Sequence, residues 1–286
     1  MLYFFAAIAH SDITVVDYLD RSVTIKKPAQ RIIALSPHIV ENLFSAGAGD
    51  TLVGVVAHSD FPQQAKKIER IGGVSSFSLE KILSLSPDLV IIWASAARDN
   101  IVEQLSALDT PVYLDDPRSL ADIARSIRDF GALTGRVKHS NKAADDYLSE
   151  IRRLQNQYQH QREKNIRVFY EVWNNPLQTI SGKHIISDVI RLCGGQNIFN
   201  DALSLAPKIN METVIKRNPD IIIASNNNVR QEWLDYWRKW PGLNAVNYHR
   251  LYFIDPDFIQ RHTVRIAVGA KMMCQQIGKA ATDGSR

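Results

Sequence analysis

Short apolar runs alternate with amphipathic stretches along most of this chain. Two alternating segments open it, at 13–17 and 22–25, with Asp20 and Arg21 between them. They predict a strand hairpin, closed by Pro28. Continuous apolar runs follow at 31–35, 52–56, 89–93 and 112–114. None of these alternates, so both faces of each strand are predicted to be covered, as in a parallel sheet flanked by helices. Helical spacing predicts a helix after Ser36-Pro37-His38, closed by Gly47 and Gly49, and further helices at about 98–108 and 118–134.

The second half repeats this logic. Strands are predicted at 167–172, 221–225 and 251–254, with helices at about 184–193, 231–240 and 262–280. Between the halves, 139–164 carries no strand signal, Gly or Pro, and predicts one long helix. A twelve-residue phrase ties the halves together. Ser78-Leu79-Glu80 through Ser86-Pro87-Asp88-Leu89 returns as Asn210-Met211-Glu212 through Asn218-Pro219-Asp220-Ile221, with the same Glu-to-Pro spacing. Each copy is a short helix ending at Pro-Asp before an apolar strand. The predicted fold is therefore α/β: two Rossmann-like lobes with parallel sheets, joined by one long rigid α-helix. The lobes cover 12–138 and 165–280, the linker covers 139–164, and 281–286 is a fraying tail.

Composition narrows the picture. The 45% apolar content supports a substantial core, and a net charge of +4 with interleaved signs points away from nucleic acid. No apolar run reaches the ~18 residues a membrane-crossing helix needs. Residues 1–11 hold an apolar stretch ending in Ala7-Ile8-Ala9, read as the remnant of a secretory signal that starts upstream. No Cys follows that stretch, so no lipid anchor is expected. Two cysteines, Cys193 and Cys274, form either one bridge or two buried free thiols.

Candidate chemistry gathers where strands end. Open parallel sheets hold ligands beyond the carboxyl ends of their strands. Pro37, His38, His58, Trp93, Trp173, Asp257, Phe258 and Arg261 fall there. Rings, one carboxylate and one guanidinium suit a large, flat, partly apolar ligand with a polar fringe. Asp257 and Arg261, four apart at the start of the last predicted helix, can equally be a local ion pair. Trp233, Trp237 and Trp240 lie at helical spacing and read as packing. Phosphate-binding and nucleophile-elbow motifs are missing, and nothing in the sequence pairs a nucleophile with a base, so no catalytic residue is assigned. His38, His58 and a carboxylate could meet at a metal in space, but no metal site is assigned.

Ser36-Pro37, Ser59-Asp60-Phe61-Pro62, the Pro87-Asp88-Leu89 strand, the long linker and Leu192-Cys193-Gly194-Gly195-Gln196-Asn197 together carry a resemblance. From about 30 to 278 the chain resembles the periplasmic substrate-binding proteins of ABC importers for vitamin B12, ferric siderophores and haem, and among them the cobalamin binders. The resemblance implies a monomer that carries a corrinoid, alternatively haem or a ferric siderophore, to importer permease subunits in the inner membrane. It needs no cofactor. It implies a Cys193–Cys274 disulfide, permease-docking carboxylates at Glu80 and Glu212, ligand contacts at Asp257 and Arg261, and a cleft role for Trp93. The chain departs from the cobalamin binders at His58, where they have Tyr, and at Val74 and Ala206, where they have Trp.

Overall fold

The computed structural model describes residues 12–74, 76–97, 100–158, 163–225 and 230–283. The chain divides into two compact units. One holds the residues up to Asp116 and Ala124–Ala144; the other holds Pro117–Ile123 and the chain from Asp145 onward.

In the first unit β1 (Ile13–Val16) and β2 (Ser22–Ile25) pair antiparallel, Ile13 opposite Ile25. The sequence then runs through β3 (Ile32–Ala34), α1 (Pro37–Ser45), β4 (Leu52–Val55), the two-residue strands β5 (Gly72–Gly73) and β6 (Ser76–Phe77), α2 (Leu79–Ser84), β7 (Leu89–Trp93), α3 (Ile101–Ser106) and β8 (Val112–Asp115). The parallel sheet has the order β4-β3-β7-β8. Ile33, Val90, Ile92 and Leu114 lie at its buried centre. Two helices contribute residues to both units: α4 (Leu120–Thr134) and α5 (Val137–Tyr158). Within the second unit, the Tyr147 hydroxyl of α5 donates to the Leu120 carbonyl of α4 at 3.0 Å.

The second unit follows with β9 (Ile166–Glu171), the hairpin strands β10 (Trp173–Asn174) and β11 (Leu177–Gln178), α6 (Ile185–Leu192), β12 (Gly195–Asn197), α7 (Met211–Arg217), β13 (Ile221–Ala224), α8 (Arg230–Arg238), α9 (Asn244–Asn247), β14 (Leu251–Phe253), α10 (Pro256–Ile259) and α11 (Ile266–Asp283). Its parallel sheet has the order β12-β9-β13-β14. Counted from each unit's first parallel strand, both sheets run second, first, third, fourth. The α/β class and the two parallel sheets match the sequence reading.

Three elements differ from that reading. The linker helix begins at Val137 and ends at Tyr158, and the expected stretch 159–162 lies outside the described residues. Strand β12 went unread because Gly195-Gln196-Asn197 has no β-branched or aromatic residue. It is held by backbone pairing to β9 and by close packing: a Cβ at Gly195 would lie 3.0 Å from Ile277 and Val168. A separate short helix precedes the last one, so Asp257 and Arg261 do not stand at the start of the final helix. Pro256 starts the short α10, and the Asp255 side chain caps it by accepting from the Asp257 N–H. The final helix α11 starts later, at Ile266, and runs on through Asp283, so the residues expected to fray up to there are helical. Residues 284–286, and 1–11 at the other end, lie outside the described residues.

The repeated phrase is a stitch. Ser78 and Asn210 cap α2 and α7 by accepting from the Lys81 and Thr213 N–H groups. Ser86 and Asn218 turn left-handed, at φ 46° and 39°, to leave each helix. The proline that follows has no N–H to satisfy. The Asp88 carboxylate then accepts from the backbone N–H groups of Gln30 and Arg31, both at 2.9 Å, while the Asp88 N–H donates to the Arg31 carbonyl. Asp220 accepts from the Arg167 N–H at 2.9 Å and from Asn244 Nδ2 at 3.0 Å, and its N–H donates to the Arg167 carbonyl. Each aspartate so locks the start of one central strand to the next.

A disulfide joins Cys193, at the C-terminus of α6, to Cys274 in α11 across 81 residues. Both cysteines are fully buried. A loop of that length is worth about 4 kcal/mol on the loop-entropy account.

The stitches should carry measurable stability. Asp88→Ala and Asp220→Ala should each lower the unfolding free energy by about 2 kcal/mol, since each removes charge-assisted bonds to backbone amides. Urea unfolding of the purified variants measures this, and losses under about 0.5 kcal/mol would reduce the aspartates to surface residues.

Candidate functional site

All strands of the first parallel sheet end at one edge. There β3 passes through Ser36 into α1, β7 ends in Trp93, and β8 ends in Asp115 with Asp116 beyond it. Pro37 is the first residue of α1, half-buried, with its preset φ suited to that position. His38 is buried, and both ring nitrogens are engaged: Ser36 Oγ lies 2.7 Å from Nδ1 and Asp115 Oδ2 lies 3.1 Å from Nε2. Asp115 is fully buried; its other oxygen accepts from Ser126 Oγ at 2.5 Å, and that hydroxyl meets the Tyr18 hydroxyl at 3.0 Å.

Ser36, His38 and Asp115 thus stand in the order of a nucleophile, a base and an orienting acid, a pairing that the sequence did not reveal. Ser36 is 2% exposed, with its hydroxyl closed against the imidazole, so the three form a support rather than an open reaction site.

What the network supports is Trp93. The His38 ring meets the indole edge to face, with centroids 5.4 Å apart and an interplanar angle of 87°. Indole Nε1 donates to Asp116 Oδ1 at 2.9 Å, and Ser95 Oγ donates to the same carboxylate at 3.0 Å. His58 lies apart, exposed on the loop after β4, in a left-handed conformation at φ 63°. Among the described residues no three His, Cys, Asp or Glu side chains are placed to hold a metal ion.

At the corresponding edge of the second unit, β9 ends in Glu171. Trp173 follows in the β10–β11 hairpin, not at the end of β9, and is 47% exposed. Its indole N–H donates to the Asn175 carbonyl at 2.9 Å. Trp233 and Trp237 of α8 are buried, and Trp237 packs on Phe169 with centroids 5.6 Å apart, as packing residues should. Trp240, also read as packing, is exposed just past the end of α8, where the face that points inward has run out.

Asp257 and Arg261 do pair, Oδ1 to a guanidinium nitrogen at 3.1 Å, and Arg265 approaches the other oxygen at 3.6 Å. Arg265 also stacks over Phe258, 5.0 Å from the ring centroid. Asp257 lies in α10, and Arg261 beyond its end, not in the final helix.

Glu171 is a residue that sequence reasoning missed. It is 3% exposed, and the indole N–H groups of Trp233 and Trp237 donate to the same oxygen, Oε2, at 2.9 and 2.7 Å. Burial pushes its carboxyl up to about 7, and the two indole bonds only partly oppose this. The signal available was two tryptophans spaced four apart, whose N–H groups need an acceptor once buried. Beside this cluster, Asn174, Asn175, Glu232, Trp233, Tyr236 and Lys239 line a recess of about 640 Å³.

Glu80 and Glu212 occupy the same place in each unit. Both are exposed in the first turn of α2 and α7, where a negative charge is favoured by the helix dipole. Neither carboxylate has a partner among the described residues.

The sequence profile of the periplasmic binding protein family matches residues 32–258. The chain belongs to this family. The chain is similar to the vitamin B12-binding protein of Vibrio campbellii (strain ATCC BAA-1116), 32% identical over 249 residues that span 87% of this chain and 89% of that protein. The crystal structure of the periplasmic vitamin B12-binding protein of Vibrio cholerae matches with a TM-score of 0.81 and 32% identity, covering 88% of this chain and 98% of the other. The periplasmic haem-binding protein of Roseiflexus sp. RS-1 in its apo form shares the fold, with a TM-score of 0.76 and 23% identity over 88% of this chain and 99% of the other. No helix among the described residues of this periplasmic binding protein is long and apolar enough to cross a membrane.

Glu171 gives this family member a pH signature. Its carboxyl binds a proton more readily in the folded state than in the unfolded one, so stability is fully present at acid pH and falls as pH rises toward and through 7. The loss is about 3 kcal/mol. Glu171→Gln keeps the oxygen that both indoles need and removes the charge. Its thermal midpoint should match the native protein near pH 4, exceed it increasingly between about pH 4.5 and 7, and keep a constant excess at higher pH. A constant difference across pH would mean that the carboxylate is not buried as a charge.

Proposed function

We propose that the protein captures cobalamin or a related corrinoid in the periplasm and delivers it to the permease of an ABC importer. The observation that carries this reading is the 32% identity to vitamin B12-binding proteins along nearly the full length of both chains. The site chemistry is compatible with it. Aromatic surface at Trp93 and Trp173 supplies burial at about 25 cal/mol per Å². Pro37, His58, Phe258, Asp257 and Arg261 supply further apolar contact and the polar fringe that a corrin ring with amide side chains requires. His38 acts from behind Trp93. Glu80 and Glu212, one in each unit and free of ion pairs among the described residues, are the carboxylates offered to permease arginines.

Haem or a ferric siderophore is the second reading. The specific feature in its favour is that His58, Val74 and Ala206 stand where the resemblance to the cobalamin binders implies aromatic residues.

Calorimetric titration with cyanocobalamin, haem and a ferric hydroxamate siderophore separates the readings. The corrinoid reading requires saturable 1:1 binding of cyanocobalamin; binding of haem or the siderophore alone would transfer the protein to the second reading. A bound stoichiometric metal, or turnover of a tetrapyrrole, would remove both in favour of a metal binder or a chelatase-like enzyme. The double variant Glu80→Ala/Glu212→Ala should keep its ligand and lose at least ~90% of permease-coupled transport in proteoliposomes, as loss of two charge-assisted contacts implies. Loss of ligand binding instead would place those carboxylates against the ligand.

A further inference from the structure

We infer that His38 and Asp116 are positioning residues that clamp the Trp93 indole and so set the plane on which the ligand lies; this rests on the reading that Trp93 contacts ligand. An indole on a strand end has two side-chain torsions to fix. The clamp addresses both. The Nε1–Asp116 bond at 2.9 Å selects one of the two ring flips, because turning the ring over would carry the N–H away from its acceptor. The His38 ring, set at 87° to the indole, restricts the swing about the first torsion.

Each clamp residue is itself held. Ser95 Oγ contacts both Asp116 oxygens, at 3.0 and 3.1 Å. His38 is pinned at both nitrogens, by Ser36 at one end of β3 and by Asp115 at the end of β8. Asp115 in turn reaches Ser126 in α4 and, through it, Tyr18 on the loop after β1. Elements from across the first unit therefore converge on one half-buried ring. So elaborate a polar scaffold is unnecessary for core packing, which apolar neighbours achieve without buried carboxylates. It suits a surface that must present one face in one orientation before ligand arrives, since ordering that ring on binding would cost affinity.

The test uses the full chain. Subtracting the near-ultraviolet circular dichroism spectrum of Trp93→Phe from that of the unsubstituted protein isolates the Trp93 band. Asp116→Leu and His38→Leu should each collapse that band without ligand present, and Asp116→Asn, which keeps an acceptor for the indole, should restore most of it. Asp116→Leu should weaken cyanocobalamin binding about tenfold by calorimetry, and should have no further effect when Trp93 is already Phe. Ser95→Ala, at an exposed position, loosens Asp116 without threatening the fold and should move the band in the same direction, so the test stands even if Asp116→Leu does not fold. A Trp93 band unchanged by all three changes overturns the clamp. A collapsed band with undiminished binding of cyanocobalamin, haem and siderophore in Trp93→Phe overturns the specificity role, and locates the error in the assignment of Trp93 to the ligand.

Discussion

The carboxylates of Asp88 and Asp220 each hold a backbone amide at the start of a neighbouring central strand, and the alignment of both parallel sheets follows from those bonds. Parallel strands cannot be joined by tight turns; each must be reached by a helical crossover, and its register is otherwise set only by packing. A one-residue slip would exchange buried and covered faces. With the strand starts locked, the strand ends fall in step at the opposite edge, and Pro37, His38, Trp93 and Glu171 stand there. The repeated phrase is therefore the structural cause of the site's position, while its exposed glutamate is a separate feature carried on the same helix.

Both sheet edges place a buried carboxylate beneath aromatic rings, but they do so for different ends. Asp115 anchors His38, which meets a half-buried indole, so its effect is felt at a surface. Glu171 receives two buried indoles of α8, so its effect is felt in packing. In the first case the charge has a hydrogen-bonded histidine and a hydroxyl to satisfy it. In the second, two neutral donors share one oxygen, and the carboxyl responds by holding its proton to higher pH.

Much of the fold was legible because its strands are continuous apolar runs and its helices have clear periodicity. The phrase repeat exposed the duplication, and the cysteine pair proved to be a disulfide. What escaped was decided by long-range backbone geometry. The polar strand β12 exists because β9 offers it a pairing edge and Gly195 permits close approach. The separate start of α10 comes from capping by Asp255 and Pro256, which helical periodicity does not register. At the site, Pro37, Trp93 and the Asp257–Arg261 pair were readable as strand-end residues. The Ser36–His38–Asp115 network and the Glu171 acceptor were not, because their members lie far apart in sequence and meet only through sheet order.

The central claim is that carboxyl-end edges organised by strand-start stitches take up the ligand. Amide hydrogen exchange with and without saturating cyanocobalamin tests it most directly. The account predicts slowed exchange at 35–38, 93–97, 171–178 and 255–261, with 30–32, 88–90, 166–168 and 220–222 unchanged. Protection confined to the strand starts, or spread over helices distant from both edges, would contradict it.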